Sequence, residues 1–489
     1  MATLHDPKLT IIDVLPPELL GDVFSWFCSH CSGCGVENED NAADIKSLVA
    51  LTQTNRIFRS IAMPVLFHSL GPCLPSTYFF RVLDCQPDLA RMVKHLCLPL
   101  STPKSSSVIK DSEFLARLAD NISLDLGTMK RKRFCVIDSE MCLAMALCSG
   151  MERLRIHISG DQIIGQTRHF ELLNILLGKR KHEIFPNLRH LDINKTQCNK
   201  FSLCDPEQII LMRGAPRLEK LILRGPEGER ESDQNSDLGI QEFCSSVKNI
   251  IEFQLLGLPF FTGSWQTLAL ERILGAAQNL QRFKFVTDDY GCWNNRALSQ
   301  ISPTQLIEFL SPRTQITLQR LSLNFDSRME PGLRNLPKPK PITPQQIKQF
   351  TNLTTLEVDS SCYYSHVLQR NKDEVIVEQE TYLVDFLPQT VQSLTIFFNR
   401  WARYEVLHDV TYLGQRAIAG DFPKLKRVRI DAPIHYTMPG SNSWDDQWDN
   451  EQLAKLSTEM NVRRDGFQEA FVGSGVETQF KTWYIWEEG

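Results

Sequence analysis

The sequence predicts an α/β fold: a small N-terminal helical domain followed by an irregular solenoid of strand, loop and helix units, with parallel strands on the concave face and helices on the convex face. Three observations predict it. An L-x-x-L-x-L spacing of apolar residues recurs from Val93 to Ile430. The last two apolar positions of each recurrence alternate with polar ones, which is the period of a strand with one buried face. Residues 11 to 70 lack the pattern and carry apolar residues at helical spacing instead.

The N-terminal helices come first. Leu15-Pro16-Pro17-Glu18-Leu19-Leu20 places proline where a helix can begin and follows it with Val23, Phe24 and Phe27. A second helix is expected over Asp44 to Thr54, with Ile45, Leu48, Val49 and Leu51, and a third over Asn55 to Leu66, with Ile57, Phe58 and Ile61. Three helices this short carry more apolar surface than they can bury among themselves, so the remainder needs a partner.

In the repeats, the pattern reads most clearly at Leu188/Leu191/Ile193, Leu218/Leu221/Leu223, Ile250/Phe253/Leu255 and Leu280/Phe283/Phe285, spaced by 30, 32 and 30 residues. It continues at Leu318, Leu353, Val391 and Leu425, and appears upstream at Val93 and Met151. Proline, asparagine or glycine announces most strands, and capped segments with helical spacing lie between them, such as Asp205-Pro206-Glu207 and Ser302-Pro303. Each is a leucine-rich-repeat unit of the long, helix-bearing kind, although the usual asparagine after the last apolar position is mostly missing. Residues 226 to 239 and 328 to 344 are too polar or proline-broken to pack and read as projecting insertions. The expected organisation is a helical domain at 11–70, a linker and first helix at 71–92, repeats at 93–435 and a C-terminal cap at 436–489.

Composition limits the function. With 42% hydrophobic and 23% charged residues, the 489-residue chain matches a folded soluble protein. Its net charge of -5 supplies no global field for nucleic acid or an anionic membrane, so neither is expected as a partner. The 14 cysteines are scattered, many in apolar runs, and no long apolar stretch or basic leader occurs. This points to a reducing compartment, cytoplasmic or nuclear. Lys130-Arg131-Lys132-Arg133 reads as a solvated charge run or as a nuclear-import signal. No linear catalytic motif is present, so a non-enzymatic protein without cofactor is expected.

The helical stretch resembles the F-box, most closely its fungal branch. The resemblance lies in Leu15-Pro16-Pro17-Glu18-Leu19-Leu20 with Val23 and Phe24, in Asp44-Ile45-Lys46-Ser47-Leu48, in Leu51 to Arg59, and in Ala62-Met63-Pro64-Val65-Leu66-Phe67. It covers about 55 residues. F-box proteins with leucine-rich repeats are substrate receptors of Skp-cullin-F-box ubiquitin ligases. The resemblance therefore implies a Skp adaptor, and through it a cullin, as partners. It assigns adaptor contact to Leu15, Pro16, Leu19, Leu20, Leu48 and Leu51, with Phe58 and Leu66 shared between adaptor and domain core. The rival expectation is a leucine-rich scaffold or inhibitor that binds a protein partner without ubiquitination.

Residues 28 to 43 depart from the family pattern as a polar insertion between the first two helices. It holds Cys28, Cys31 and Cys34 with His30, but a closed zinc site needs four ligands. His30 stands poorly between two cysteines, so solvent-exposed loop thiols and no metal are expected. Trp444-Asp445-Asp446-Gln447-Trp448-Asp449 lacks the glycine and terminal glutamate of a calcium loop and reads as a solvated turn.

The residue before the second apolar position of each repeat points away from the core. That column runs Arg153, His190, Lys220, Glu252, Arg282, Arg320, Thr355, Ser393 and Arg427, with Lys284 and Arg429 in the next column. One expectation is that long basic side chains here simply cover an exposed strand face. Alternatively they form a basic stripe for an acidic or phosphorylated segment of a protein substrate, because closely spaced like charges call for an anion.

Overall fold

In the computed structural model, the residues described are 15–28, 30–31, 42–70, 77–100, 112–121, 136–159, 184–196, 203–204, 206–225, 237–258, 264–287, 301–325, 340–363, 382–397, 405–437 and 461–487. Cys34, the Lys130 to Arg133 run, the 226 to 236 and 328 to 339 insertions and the Trp444 to Asp449 stretch lie outside them. The chain divides into two compact units, Met1–Lys195 with Pro206–Leu218 and Thr196–Asp205 with Glu219–Gly489.

The first unit opens with three helices, α1 (Pro17–Ser25), α2 (Ala42–Thr54) and α3 (Arg56–His68). Pro17 occupies the first helical turn, where a missing N–H costs nothing, and Asn55 caps α3 by accepting from the Phe58 N–H at 2.8 Å. Leu20, Phe24, Cys28, Leu48, Phe58, Ala62 and Val65 close the core between them, with Phe24 and Phe58 edge to face at 5.5 Å. Strands β1 (Ser69–Leu70), β2 (His95–Leu100), β3 (Arg153–Ser159) and β4 (His190–Thr196) then follow in sequence order. Helices α4 (Thr77–Cys85), α5 (Pro87–Met92), α6 (Ser112–Asn121) and α7 (Val136–Leu147) stand between them, and α8 (Pro206–Arg213) completes the unit.

The second unit alternates strand and helix. Its strands are β5 (Lys220–Arg224), β6 (Glu252–Leu258), β7 (Arg282–Thr287), β8 (Arg320–Asn324), β9 (Thr355–Asp359), β10 (Ser393–Phe397), β11 (Arg427–Thr437) and β12 (Glu477–Glu487). Each pairs in parallel with the next. Crossovers run through α9 (Asp237–Val247), α10 (Ser264–Ala276), α11 (Pro303–Glu308), α12 (Pro312–Thr317), α13 (Pro344–Lys348), α14 (Tyr382–Phe386) and α15 (Glu405–Ile418). Helical crossovers are what parallel neighbours require. Ser302 and Thr343 each start a helix with a full capping box, which fixes where the strand-following loop turns into a helix.

Every apolar position of the repeat pattern from Val93 to Ile430 is buried. The registers Leu221↔Phe253, Phe253↔Phe283, Phe283↔Leu321 and Leu321↔Leu356 stack the second positions into one continuous row. A fully buried leucine contributes roughly 1.5 to 3 kcal/mol, so each member of this row adds a stabilising term of that order. A backbone device ties successive repeats together at the start of the strands. The carbonyl just before each strand accepts two N–H groups from the next repeat: Ile251 from Gln281 and Arg282, Gln281 from Gln319 and Arg320, Gln319 from Thr354 and Thr355, at 2.8–3.0 Å. Any side chain can occupy these positions, which is why the sequence shows no marker for them. Gly257, at φ 58, lets β6 shift register against β7 at Leu256/Leu258.

Strands β1 and β12 were not anticipated. β12 lies in the segment expected as a cap, and it pairs with β11 over eleven registers. Among the described residues no helix is long and apolar enough to cross a membrane.

Candidate functional site

Three surfaces carry the residues singled out by sequence. On the helices, Leu19, Val23 and Trp26 recur at i, i+4 and i+7 and share one face of α1. All three are exposed, Trp26 at 75%. Ile45 and Val49 are likewise exposed on α2, and Ile57 is 60% exposed on α3. Apolar residues left in water on all three helices are an unusual expense for a domain this size. The structure redistributes the expected contact set. Leu20, Leu48 and Phe58 are in the domain core, whereas Pro16 and Leu19 are exposed and Leu15, Leu51 and Leu66 are partly buried against the core. Of Leu19, Val23, Trp26, Ile45, Val49 and Ile57, only Leu19 was among the expected contacts; Val23 and Trp26 follow it at i+4 and i+7 on α1, and Ile45 and Val49 stand at i and i+4 on α2, spacings readable in the sequence.

On the strands, Arg282 and Arg320 are direct cross-strand partners, and Lys220, Glu252 and Arg282 stand in one register row. The charges are paired within the protein. Glu252 takes Lys220 at 2.6 Å and Arg282 at 2.9 Å, Arg320 reaches Glu357 at 2.5 Å, and Arg427 reaches Glu477 at 3.0 Å. Arg429 forks onto Asp431 with 2.5 and 2.7 Å bonds. In the first unit Arg155 lies 3.4 Å from Asp192 on the neighbouring strand, and Arg153 starts β3. Lys284 is half-buried between Gln254 and Ser322 in register. The anion that the repulsion argument demanded is therefore supplied by Glu252, Glu357, Asp431 and Glu477. The described part of this face is mixed in charge.

The third surface is a cluster at the turn after α1. Here the expectation of exposed loop thiols is corrected for Cys28, which is 3% exposed and belongs to the helical core, while Cys31 is exposed. α1 ends at Ser25 with Trp26 as its still-helical C-cap, and the chain then turns through 27 to 31, so side chains beyond Trp26 no longer follow helical spacing. Cys28, His30, Cys31 and His68 converge, their four ligand atoms all within 4.8 Å of one another. Cys31 Sγ lies 3.6 Å from His30 Nδ1 and 3.2 Å from His68 Nδ1. His30 Nε2 faces Glu152 Oε2 at 3.6 Å, and Glu152 is held by Lys94 Nζ at 2.9 Å. His68 ends α3 and its carbonyl accepts from the Lys94 N–H at 2.9 Å, tying it to the start of the sheet. Burial, followed by the positive charge of Arg153, holds His30 below the usual imidazole range, and burial followed by Lys94 does the same for His68. Burial and the adjacent Cys28 push the Cys31 thiol up to about 12. Against known proteins, the chain matches no family model and no curated protein.

Proposed function

We propose that this chain is the substrate-recognition subunit of a Skp-cullin-F-box ubiquitin ligase, with α1 to α3 docking on the Skp adaptor and the repeats holding a protein substrate. The observation that carries the reading is the exposed apolar set Leu19, Val23, Trp26, Ile45, Val49 and Ile57 on the three helices whose sequence resembles the F-box. Buried Leu20, Leu48 and Phe58 then hold the helices together, and the exposed set meets the adaptor. The chain does no chemistry in this role; it contributes proximity and orientation to a reaction carried out elsewhere in the assembly. The strand face bearing Arg282, Arg320, Arg427 and their carboxylates serves the substrate, whose segment presents charges of both signs.

The test is co-purification of tagged full-length protein with Skp and cullin. Large side chains at the centre of an interface commonly contribute 2 kcal/mol or more each, and about 2.8 kcal/mol is a hundredfold in affinity. Leu19→Ala with Trp26→Ala should remove adaptor recovery at unchanged melting temperature. Adaptor recovery equal to wild type in that variant would exclude this docking surface. Recovery of neither adaptor nor cullin with the wild-type protein would favour a plain protein-binding scaffold.

A further inference from the structure

The Cys28, His30, Cys31 and His68 cluster is used by neither the adaptor reading nor the repeat core. In a tetrahedral zinc site, with Zn–S near 2.3 Å and Zn–N near 2.0–2.1 Å, ligand atoms stand roughly 3.4–3.8 Å apart. The 3.6 and 3.2 Å separations around Cys31 Sγ, and the 4.8 Å bound on all four atoms, are on that scale before any ion draws them together. Two thiolates and two imidazoles are a donor set for zinc: soft enough to prefer it to calcium or magnesium, and four in number, as a closed structural site needs.

We propose that Cys28, His30, Cys31 and His68 bind one structural Zn²⁺. The ion forms bonds to Cys28 Sγ, Cys31 Sγ and one nitrogen of each histidine, and the two thiols release their protons to solvent. The completed site is electrically neutral, two thiolate charges against the dication, which suits a half-buried position flanked by Lys94 and Glu152. Each imidazole turns Nδ1 toward Cys31, so Nδ1 is the coordinating atom. The opposite nitrogen of His30 faces Glu152, the carboxylate-histidine-metal arrangement that fixes tautomer and ring orientation. Glu152 is thus a positioning residue, itself held by Lys94.

The zinc would staple the turn after α1 to the C-terminus of α3. Residue 68 is separated from residue 31 by an insertion-bearing stretch, so the staple closes a long loop in a helical domain too small to depend on its apolar core alone. His68 supplies the fourth ligand.

The experiment is metal analysis by mass spectrometry on full-length protein purified without chelator, together with cobalt substitution. About one zinc per chain is expected, and Co²⁺ should give the thiolate charge-transfer and tetrahedral ligand-field bands. Cys31→Ser and His68→Gln should each lose the metal and the bands, whereas Cys85→Ser and Cys244→Ser should retain both. Glu152→Gln should keep stoichiometry at saturating zinc but weaken affinity about 10- to 100-fold, the usual effect of removing an outer-shell partner. If a cysteine variant fails to fold, zinc chelation of wild-type protein decides: the melting temperature should fall and recover on adding zinc. Wild-type protein without zinc and without cobalt bands, or zinc retained at full occupancy and unaltered affinity in His68→Gln, would overturn the site.

Discussion

Glu252 reaches Arg282 across the β6 and β7 pair at 2.9 Å and Lys220 on β5 at 2.6 Å, so one carboxylate ties three strands. Burial alone would raise its pKa, but the bonds from Lys220, Gln254 and Arg282 outweigh burial and leave it below the usual carboxylate range. A depressed folded pKa means that the stabilisation is complete above the unfolded value, near about 4.3, and is lost as pH falls through the folded value. Glu252→Gln should therefore cost about 1 to 2 kcal/mol at pH 7, in the range of a hydrogen-bonded, largely buried ion pair. The difference from wild type should shrink below about pH 4. Urea unfolding at pH 7 and pH 3 measures both, and equal stability at pH 7 would show that the three-strand tie contributes nothing.

The same pairing changes how the substrate face should be probed. Reversing the charge of Arg282 and Arg320 would set two new carboxylates beside Glu252 and Glu357 and damage the sheet. Arg282→Gln with Arg320→Gln avoids that repulsion. Under the substrate-receptor reading this variant should weaken substrate capture by about tenfold or more for each arginine whose charge-assisted contact is lost, and leave adaptor recovery unchanged. Because the arginines already have internal partners, wild-type protein should pass through a heparin column at physiological salt. Strong retention would restore the basic stripe that the sequence alone suggested.

Much of the fold was legible because repetition averages out local ambiguity. The pattern from Val93 to Ile430 located ten of the twelve strands among the described residues, since a buried pair such as Phe283 and Phe285 is marked by its own alternation. β1 has only two residues, and β12 carries Glu477, Gln479 and Lys481 opposite a row that ends at a half-buried Phe480, so neither shows a repeat signature. The charged column was legible in its positions but not in its balance. Glu357 stands in the second column, of which only Lys284 and Arg429 were read, and Asp431 lies two residues beyond Arg429 on the same strand, so both carboxylates fell outside the positions considered. The Cys and His cluster was half legible. Cys28, His30 and Cys31 are visible as neighbours, but His68 arrives from the far end of α3, and no local spacing announces a ligand 37 residues away.

Asp409 gives the opposite pH dependence to Glu252. It lies on α15, 3% exposed, with its Oδ2 lacking a hydrogen-bond partner among the described residues. Burial pushes its pKa up to about 7. The folded protein thus holds a proton between about pH 4 and 7 that the unfolded chain releases, and stability declines as pH rises through that window. Asp409→Asn removes the charge while keeping the shape. It should stabilise the protein at pH 8 by about 1 to 3 kcal/mol, the cost of an unsatisfied buried polar group, and have little effect at pH 4. Thermal melts of both proteins across pH 4 to 8 are the check; parallel curves would mean that Asp409 is solvated or paired.

The packing of α15 against the helical stretch at 461–470 sets two effects of one substitution against each other. A Cβ added at Gly414 would stand 2.3 Å from the Ala470 carbonyl oxygen and 2.8 Å from its carbon, with no flexible side-chain tip to move aside. Helix propensity alone favours alanine over glycine by about 1 kcal/mol. Forcing a new side-chain methyl against a fixed backbone costs about 1 to 3 kcal/mol or more, so the clash should win. Gly414→Ala is expected to lower the melting temperature. Ala470→Gly should not rescue it, because the obstructing atoms belong to the backbone. Gly466, where an added Cβ meets nothing within 4 Å, is the control: Gly466→Ala should gain up to about 1 kcal/mol from propensity. Equal gains at both positions would mean that the two helices can move apart freely and that the close approach at Gly414 does not hold the C-terminal stretch on α15.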